Sequence, residues 1–385
     1  MNNDLGNATA LLEKARALSE RFAQRAAEVD EKADFPEKNF KDLKEAGFLE
    51  LTIPKEFGGH EITLSELVRV IEYLGEGDAS TALSLGWHLS ILMEQATLRQ
   101  WPQDQFADIC HEIITQKKLI NRIATEPTTG SPSRGGNPQT IAQRTMKGWE
   151  ITGYKTFASM SKALDFLLVT ATIKETGEVA EFLIRKGLPG VFYEETWNTL
   201  GMRGTISHDI RLKNVVLPEE SLLRIMPEKQ KRSYGRGWML HIPACYLGVA
   251  KAARRFAVQF AKDYSPYGIS GSIQQFPHIQ RFIGEMEVEY FTAQTLLYSM
   301  AERWDHDPQQ RLHLAPELAA TKLVVTNTAC HIVDLAMRIV GGHSLYRRFP
   351  LERYYRDVRG GLHNPPMDDM TIQMLAQRAF EQRDK

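Results

Sequence analysis

The spacing of apolar residues changes twice along this chain, and that double change limits the folds open to it. Over residues 1–120 the spacing is helical: Leu11, Ala15, Leu18, Phe22 and Val29 fall on one face. Asp34-Phe35-Pro36 interrupts it, and a second helix runs through Phe40, Leu43 and Ala46 to a stop at Gly47. Pro54 and Gly58-Gly59 mark a loop. Thr63, with Glu66 three residues on, has the form of a capping box opening a third helix. Over residues 121–225 the helical spacing vanishes. Asp165–Ala171, Ala180–Ile184 and His208–Val216 read as strands, the last ended by Pro218, with Gly148, Gly153, Gly177, Gly187 and Gly190 as turns. Over residues 226–385 helices return. Ile279, Phe282, Met286, Tyr290, Ala293 and Leu297 form one stripe; Leu318, Lys322, Val325, Ala329, Ile332, Ala336 and Ile339 form another.

The order α, then β, then α implies an α+β protein of three units: a helical unit, a central β-barrel or sandwich, and a helical bundle. It excludes a doubly wound nucleotide fold, whose strands alternate with helices. Neither GxGxxG after a strand nor GxxxxGK[ST] occurs. Lys and Arg number 47 against 48 Asp and Glu, so overall charge gives no case for nucleic acid or an anionic membrane. Cys110, Cys245 and Cys330 are widely spaced and form no CxxC pair, which argues against a zinc ribbon and reads as reduced thiols in a cytoplasmic enzyme. The N-terminal residues carry no signal-peptide pattern, and no uninterrupted apolar run reaches membrane-spanning length.

Five local patterns then converge. Ala124-Thr125-Glu126-Pro127-Thr128-Thr129-Gly130-Ser131 resembles the TEPxxGS segment of acyl-CoA dehydrogenases, and Gly153–Ser159 resembles their GxKxxIT/S segment. Leu200–Thr205 resembles the LGxRxS turn. Val340-Gly341-Gly342 with Pro350–Arg353 and Arg356-Asp357 resembles the GGxG…P-E…RD block, and Ile53–Gly59 resembles the PEEYGG loop. The matches span nearly the whole chain in family order, and the α–β–α reading agrees with an acyl-CoA dehydrogenase-like fold.

The resemblance implies a flavin, FAD in the first place and FMN as the alternative. It assigns Ala124, Thr125, Ser131, Phe157 and Ser159 to the flavin, with Phe157 as an aromatic wall and Ser159 reaching N5. It assigns Gly341-Gly342 to close backbone approach on the pyrophosphate from a neighbouring subunit, hence a homotetramer or homodimer. Phe276 and Gln280 match a later cofactor segment, although Pro266 stands where the family usually has an arginine. Reduced flavin carries negative charge near N1–C2, so neutral donors and an aromatic wall suit it better than acids. On its own Phe157 reads as a core aromatic, and Gly341-Gly342 as a helix stop.

The departures bear on the reaction. The family's catalytic glutamate has two positions; here ungapped counting puts Pro365 at one and Trp238 at the other. Asp368 and Asp369 are the nearest carboxylates, open to a catalytic reading or to capping a helix from about Met370. One hypothesis is therefore acyl-CoA dehydrogenation in fatty-acid metabolism, with an electron-acceptor flavoprotein as partner. A second is a flavin monooxygenase of the dibenzothiophene type, which lacks the glutamate, works with a flavin reductase and places histidines near the flavin. His88 in Gly86–Ser90 and His363 in Leu362–Pro365 resemble those positions. A third is a member that binds flavin or CoA without chemistry. Arg122, Arg134 and Arg144 flank the flavin segments and are candidates for CoA phosphates, with solvated surface arginines as the bland reading.

Overall fold

A computed structural model describes residues 7–130, 136–226, 235–268 and 270–381. The first unit holds α1 (Ala8–Lys32), α2 (Glu37–Glu45), α3 (Leu64–Gly77), α4 (Ala79–Leu98) and α5 (Gln103–Gln116). On α1 the stripe Leu11, Ala15, Leu18, Phe22 is buried, and Ala26 rather than Val29 completes it. Gly47 follows α2 with φ +80°. The Thr63 hydroxyl accepts from the Glu66 amide, and the Glu66 carboxylate accepts from the Thr63 amide at 2.8 Å. Thr63→Ala is expected to cost about 1 kcal/mol in a urea melt. A cost near zero would mean that Asp305, which also accepts from the Leu64 and Ser65 amides, suffices to hold this end.

The middle unit holds β1 (Ile120–Ile123), β2 (Ile141–Thr145), β3 (Gly148–Lys155), β4 (Phe166–Ile173), β5 (Val179–Arg185), β6 (Val191–Glu194), β7 (Asp209–Leu217) and β8 (Leu222–Ile225). They form one sheet in the order β6-β7-β3-β2-β4-β5-β8. The first half of β4 also pairs in parallel with β1, Ile120 opposite Phe166. β4 is buried along almost its whole length, which is why it reads as a continuous apolar run.

The third unit holds α6 (His241–Asp263), α7 (Pro277–His306), α8 (Ala315–Val340), α9 (Leu351–Val358) and α10 (Asp368–Glu381). The first and third units share one core, because α3 packs along α6. Glycines set how close those helices come. A Cβ on Gly75 would stand 2.5 Å from the Cys245 carbonyl oxygen, and one on Gly248 2.2 Å from that of Glu72. The stretch Ala315–Leu345 has the length and mean hydropathy, 1.4, of a membrane-crossing helix. Lys322 and Asp334 interrupt it, so the sequence shows no unbroken run, and α8 packs against α6 and α7.

Candidate functional site

The densest cluster of motif residues lies where β3 ends. Lys155, the last residue of β3, is fully buried and pairs with Glu126 at 2.7 Å. Glu126 also accepts from the Gln139 amide at 2.6 Å and from the Thr140 amide and hydroxyl at 3.0 and 2.6 Å. Burial alone would raise its pKa. Lys155 and Thr140 overcome that and hold it at about 2. The two matched segments are thereby tied together, and the Thr156 amide adds a bond to the Thr125 carbonyl at 2.9 Å.

Past this anchor the chain turns sharply. Phe157 has φ +56°, rare for an aromatic, and its side chain is 62% exposed. Trp197 meets it edge-on at 5.9 Å. Two residues on, the Ser159 hydroxyl lies 2.9 Å from that of Ser207, itself 2.8 Å from that of Thr205, which donates to the Met202 carbonyl. The Thr156 hydroxyl is buried and has no partner among the described residues. His208 accepts the Trp197 amide on Nδ1 at 3.0 Å, and burial lowers its pKa. Its neutral ring therefore carries the proton on Nε2. The turn thus offers an exposed ring, hydroxyls with no carboxylate partner and a neutral imidazole.

Ala124 and Thr125 sit half-buried beside this turn; Ser131 and Arg134 fall outside the described residues. Trp197, Ser207 and His208 are contributors that sequence reasoning missed, their only signal being position just before and after the Leu200–Thr205 turn; Thr205, inside that matched turn, is assigned no role by it.

His88 does not join them. It is fully buried, its Nδ1 accepting from the Ile120 amide at 3.2 Å and its Nε2–H donating to the Leu49 carbonyl at 3.0 Å. Burial takes its pKa down to about 4. Both nitrogens are spent on backbone groups, so His88 staples β1 to the first unit and has no atom left for a flavin. Arg122 also departs from expectation. It bridges Glu94 and Glu181, with Arg224 on the same two carboxylates. Arg144 pairs with Glu219 at 2.8 Å. The Arg122 guanidinium is therefore not free for a CoA phosphate, whereas Arg144 sits in an exposed surface pair, which agrees with the bland reading.

The two residues that counting sets at the family's glutamate positions are Trp238 and Pro365. Trp238 is buried edge-on against Trp304 at 5.8 Å, and Pro365 is half-buried. His363 is exposed, and its ring bonds to no described residue. Asp368 is the first residue of α10 rather than a cap outside it, and it is occupied by Lys322 at 3.4 Å and Asn327 at 2.9 Å. Asp369 is exposed and makes no hydrogen bond or ion pair to a described residue.

The remaining candidates lie on other elements. Phe276 caps the start of α7 and stacks on His278, and Gln280 donates to the Gln274 carbonyl at 3.1 Å. Gly341 ends α8 with φ +63°. A Cβ on Gly341 or Gly342 would meet nothing within 4 Å. Gly342 therefore has no steric reason within this chain to be glycine.

Comparison with known proteins agrees with this geometry. Residues 7–108 match the acyl-CoA dehydrogenase N-terminal domain, 122–215 the middle domain and 240–362 the C-terminal domain. The chain belongs to the acyl-CoA dehydrogenase family. It is 48% identical over 370 residues to the "Putative acyl-CoA dehydrogenase YdbM" of Bacillus subtilis (strain 168), covering 96% of each. Its fold is shared with butyryl-CoA dehydrogenase from Megasphaera elsdenii at TM-score 0.87 and 21% identity, covering 97% of this chain and 98% of the other. It is shared also with dibenzothiophene monooxygenase from Paenibacillus sp. A11-2 at TM-score 0.83 and 23% identity, with the same coverages. As an acyl-CoA dehydrogenase family member the chain is an FAD flavoprotein. The exposed Phe157 ring and the neutral hydroxyls of Ser159 and Ser207 suit that cofactor.

Proposed function

We propose that the chain dehydrogenates the Cα–Cβ bond of an acyl-CoA thioester. The observation that carries this reading is Phe157, held outward in a left-handed turn beside hydroxyls with no acid among their partners. FAD bound there supplies the two-electron acceptor for a hydride. Phe157 would stack on its ring, Ser159 would donate to its polar edge, and neutral His208 would donate without introducing charge. Ala124 and Thr125 would line the same edge through their backbone. Gly341-Gly342, with Phe276 and Gln280, would serve a neighbouring copy's cofactor in a homodimer or homotetramer, and an electron-acceptor flavoprotein would drain the electrons. Asp369 is the base in this reading, because Asp368 is already held by Lys322 and Asn327.

Ser159→Ala is expected to shift the visible flavin spectrum or slow flavin reduction several-fold. An unchanged spectrum and rate would remove Ser159 from the site.

One observation favours a second reading, a reduced-flavin-dependent monooxygenase. His363, exposed and bonded to no described residue, lies two residues before Pro365, which counting sets at one glutamate position as it sets Trp238 at the other. Anaerobic titration of the yellow protein with acyl-CoAs of several lengths separates the two. Bleaching by one thioester supports dehydrogenation. Flavin that stays oxidised with every thioester, yet consumes O₂ when supplied reduced, supports the monooxygenase.

A further inference from the structure

Tyr246 on α6 lies under the segment that carries the candidate acid–base groups. Its ring is fully buried, and the turn that follows α9, Arg359–Leu362, folds over it. A Cβ on Gly361 would stand 2.8 Å from the ring at Cδ2, and one on Gly360 2.8 Å from the hydroxyl oxygen. Glycine at both positions lets the backbone lie that close. The Tyr246 hydroxyl then donates to Asn364 Oδ1 at 2.7 Å. Further along, Lys322 and Asn327 hold Asp368. The stretch from Asn364 to Asp368 is therefore pinned at both ends. His363 stands just before the first anchor and Asp369 just after the second.

The same turn abuts the flavin turn. A Cβ on Gly360 would also stand 3.0 Å from the Met202 side chain. The Met202 carbonyl accepts from the Thr205 hydroxyl, which lies 2.8 Å from that of Ser207, itself 2.9 Å from that of Ser159. Tyr246 thus stands at the back of a continuous run of contacts that ends at Ser159. Burial pushes its pKa well above the usual tyrosine value, so the hydroxyl keeps the proton that it donates.

We infer that Tyr246 is a positioning residue of the site proposed above, its hydroxyl on Asn364 setting how the segment from His363 to Asp369 stands against the flavin turn. The inference rests on that site and not on which of the two reactions it performs, because the segment carries Asp369 for one and His363 for the other.

The test uses FAD-loaded Tyr246→Phe, which keeps the ring against Gly360 and Gly361 and removes only the hydroxyl. A shift of about 1 Å in a reacting group can cost on the order of a hundred-fold in rate, so kcat on the acyl-CoA that bleaches the wild type should fall by roughly ten-fold or more. KM should stay within about two-fold, and FAD content should not change. Asn364→Ala cuts the same bond from its half-buried end and should fall as far, with the double variant falling no further. The Asn364 variant also carries the test if Tyr246→Phe folds poorly. Wild-type kcat in either variant, a fall that only tracks lost FAD, or losses that add in the double variant would each overturn the assignment. A wild type that no thioester bleaches would end the dehydrogenation reading alone. The same loss is then read in O₂ consumption with reduced flavin, and its absence there would overturn the assignment too.

Discussion

Glu126→Gln is expected to lower stability by about 3–5 kcal/mol, the usual cost of stripping one partner from a buried ion pair. The penalty comes chiefly from Lys155. Its ammonium is fully buried and, among the described residues, reaches beyond Glu126 only the Thr170 hydroxyl at 3.5 Å; burial pulls its pKa down to about 8 even with Glu126 in place. The loss would fall where the two flavin segments join, so FAD retention should drop with stability. Urea denaturation monitored by circular dichroism and by flavin fluorescence measures both. A change below about 1 kcal/mol would mean that the Gln139 and Thr140 donors hold the junction without the charge. The same pair sets an acid limit. Glu126 is depressed to about 2 from its usual 4.5, so its stabilisation is fully present above pH 4.5. It is lost as pH falls through 2, and amounts to about 3 kcal/mol. The Gln variant should lack that part of the acid slope.

Asp369→Asn is expected to lower kcat on an acyl-CoA by a hundred-fold or more, in line with loss of a general base. KM, the flavin spectrum and the melting temperature should barely move, because Asp369 is exposed and bonds to no described residue. Asp368→Asn should do the reverse: cost stability through Lys322, which is 2% exposed, and leave the rate within a few-fold. Wild-type turnover in Asp369→Asn would end its candidacy as the base. If the wild-type flavin does not bleach with any thioester, the fault lies in the substrate class and not in Asp369.

Much of the fold was legible because it rests on local rules. The Thr63–Glu66 box, the stop at Gly47 and the buried stripes of α1, α7 and α8 each follow from spacing a few residues long. β4, β5 and β7 show as apolar or alternating runs. β1, β6 and β8 have four residues each, too few to show a period, and β3 is masked by Gly153 and its charged neighbours. The candidate site divides in the same way. Phe157 and Ser159 are neighbours in sequence and share one turn. Trp197 and His208 reach that turn only because the β6–β7 pairing folds them back. His88 misleads because the sequence shows an imidazole but hides the Leu49 carbonyl and Ile120 amide that occupy it. Arg122 misleads likewise, its carboxylates coming from α4 and β5.

Arg356 and Asp357 have a wider consequence. Arg356 on α9 binds Asp30 of α1 at 2.6 and 2.8 Å and the Leu200 carbonyl, and Asp357 accepts the Met202 amide at 2.6 Å. Arg203 adds a bond from the middle unit to the Asp30 carbonyl. Two adjacent side chains thus join all three units at one point. The seams visible in the sequence are divisions of architecture that these bonds cross. Opening any one unit breaks these bonds to its neighbours, so a single unfolding transition is the expected result in a calorimetric scan.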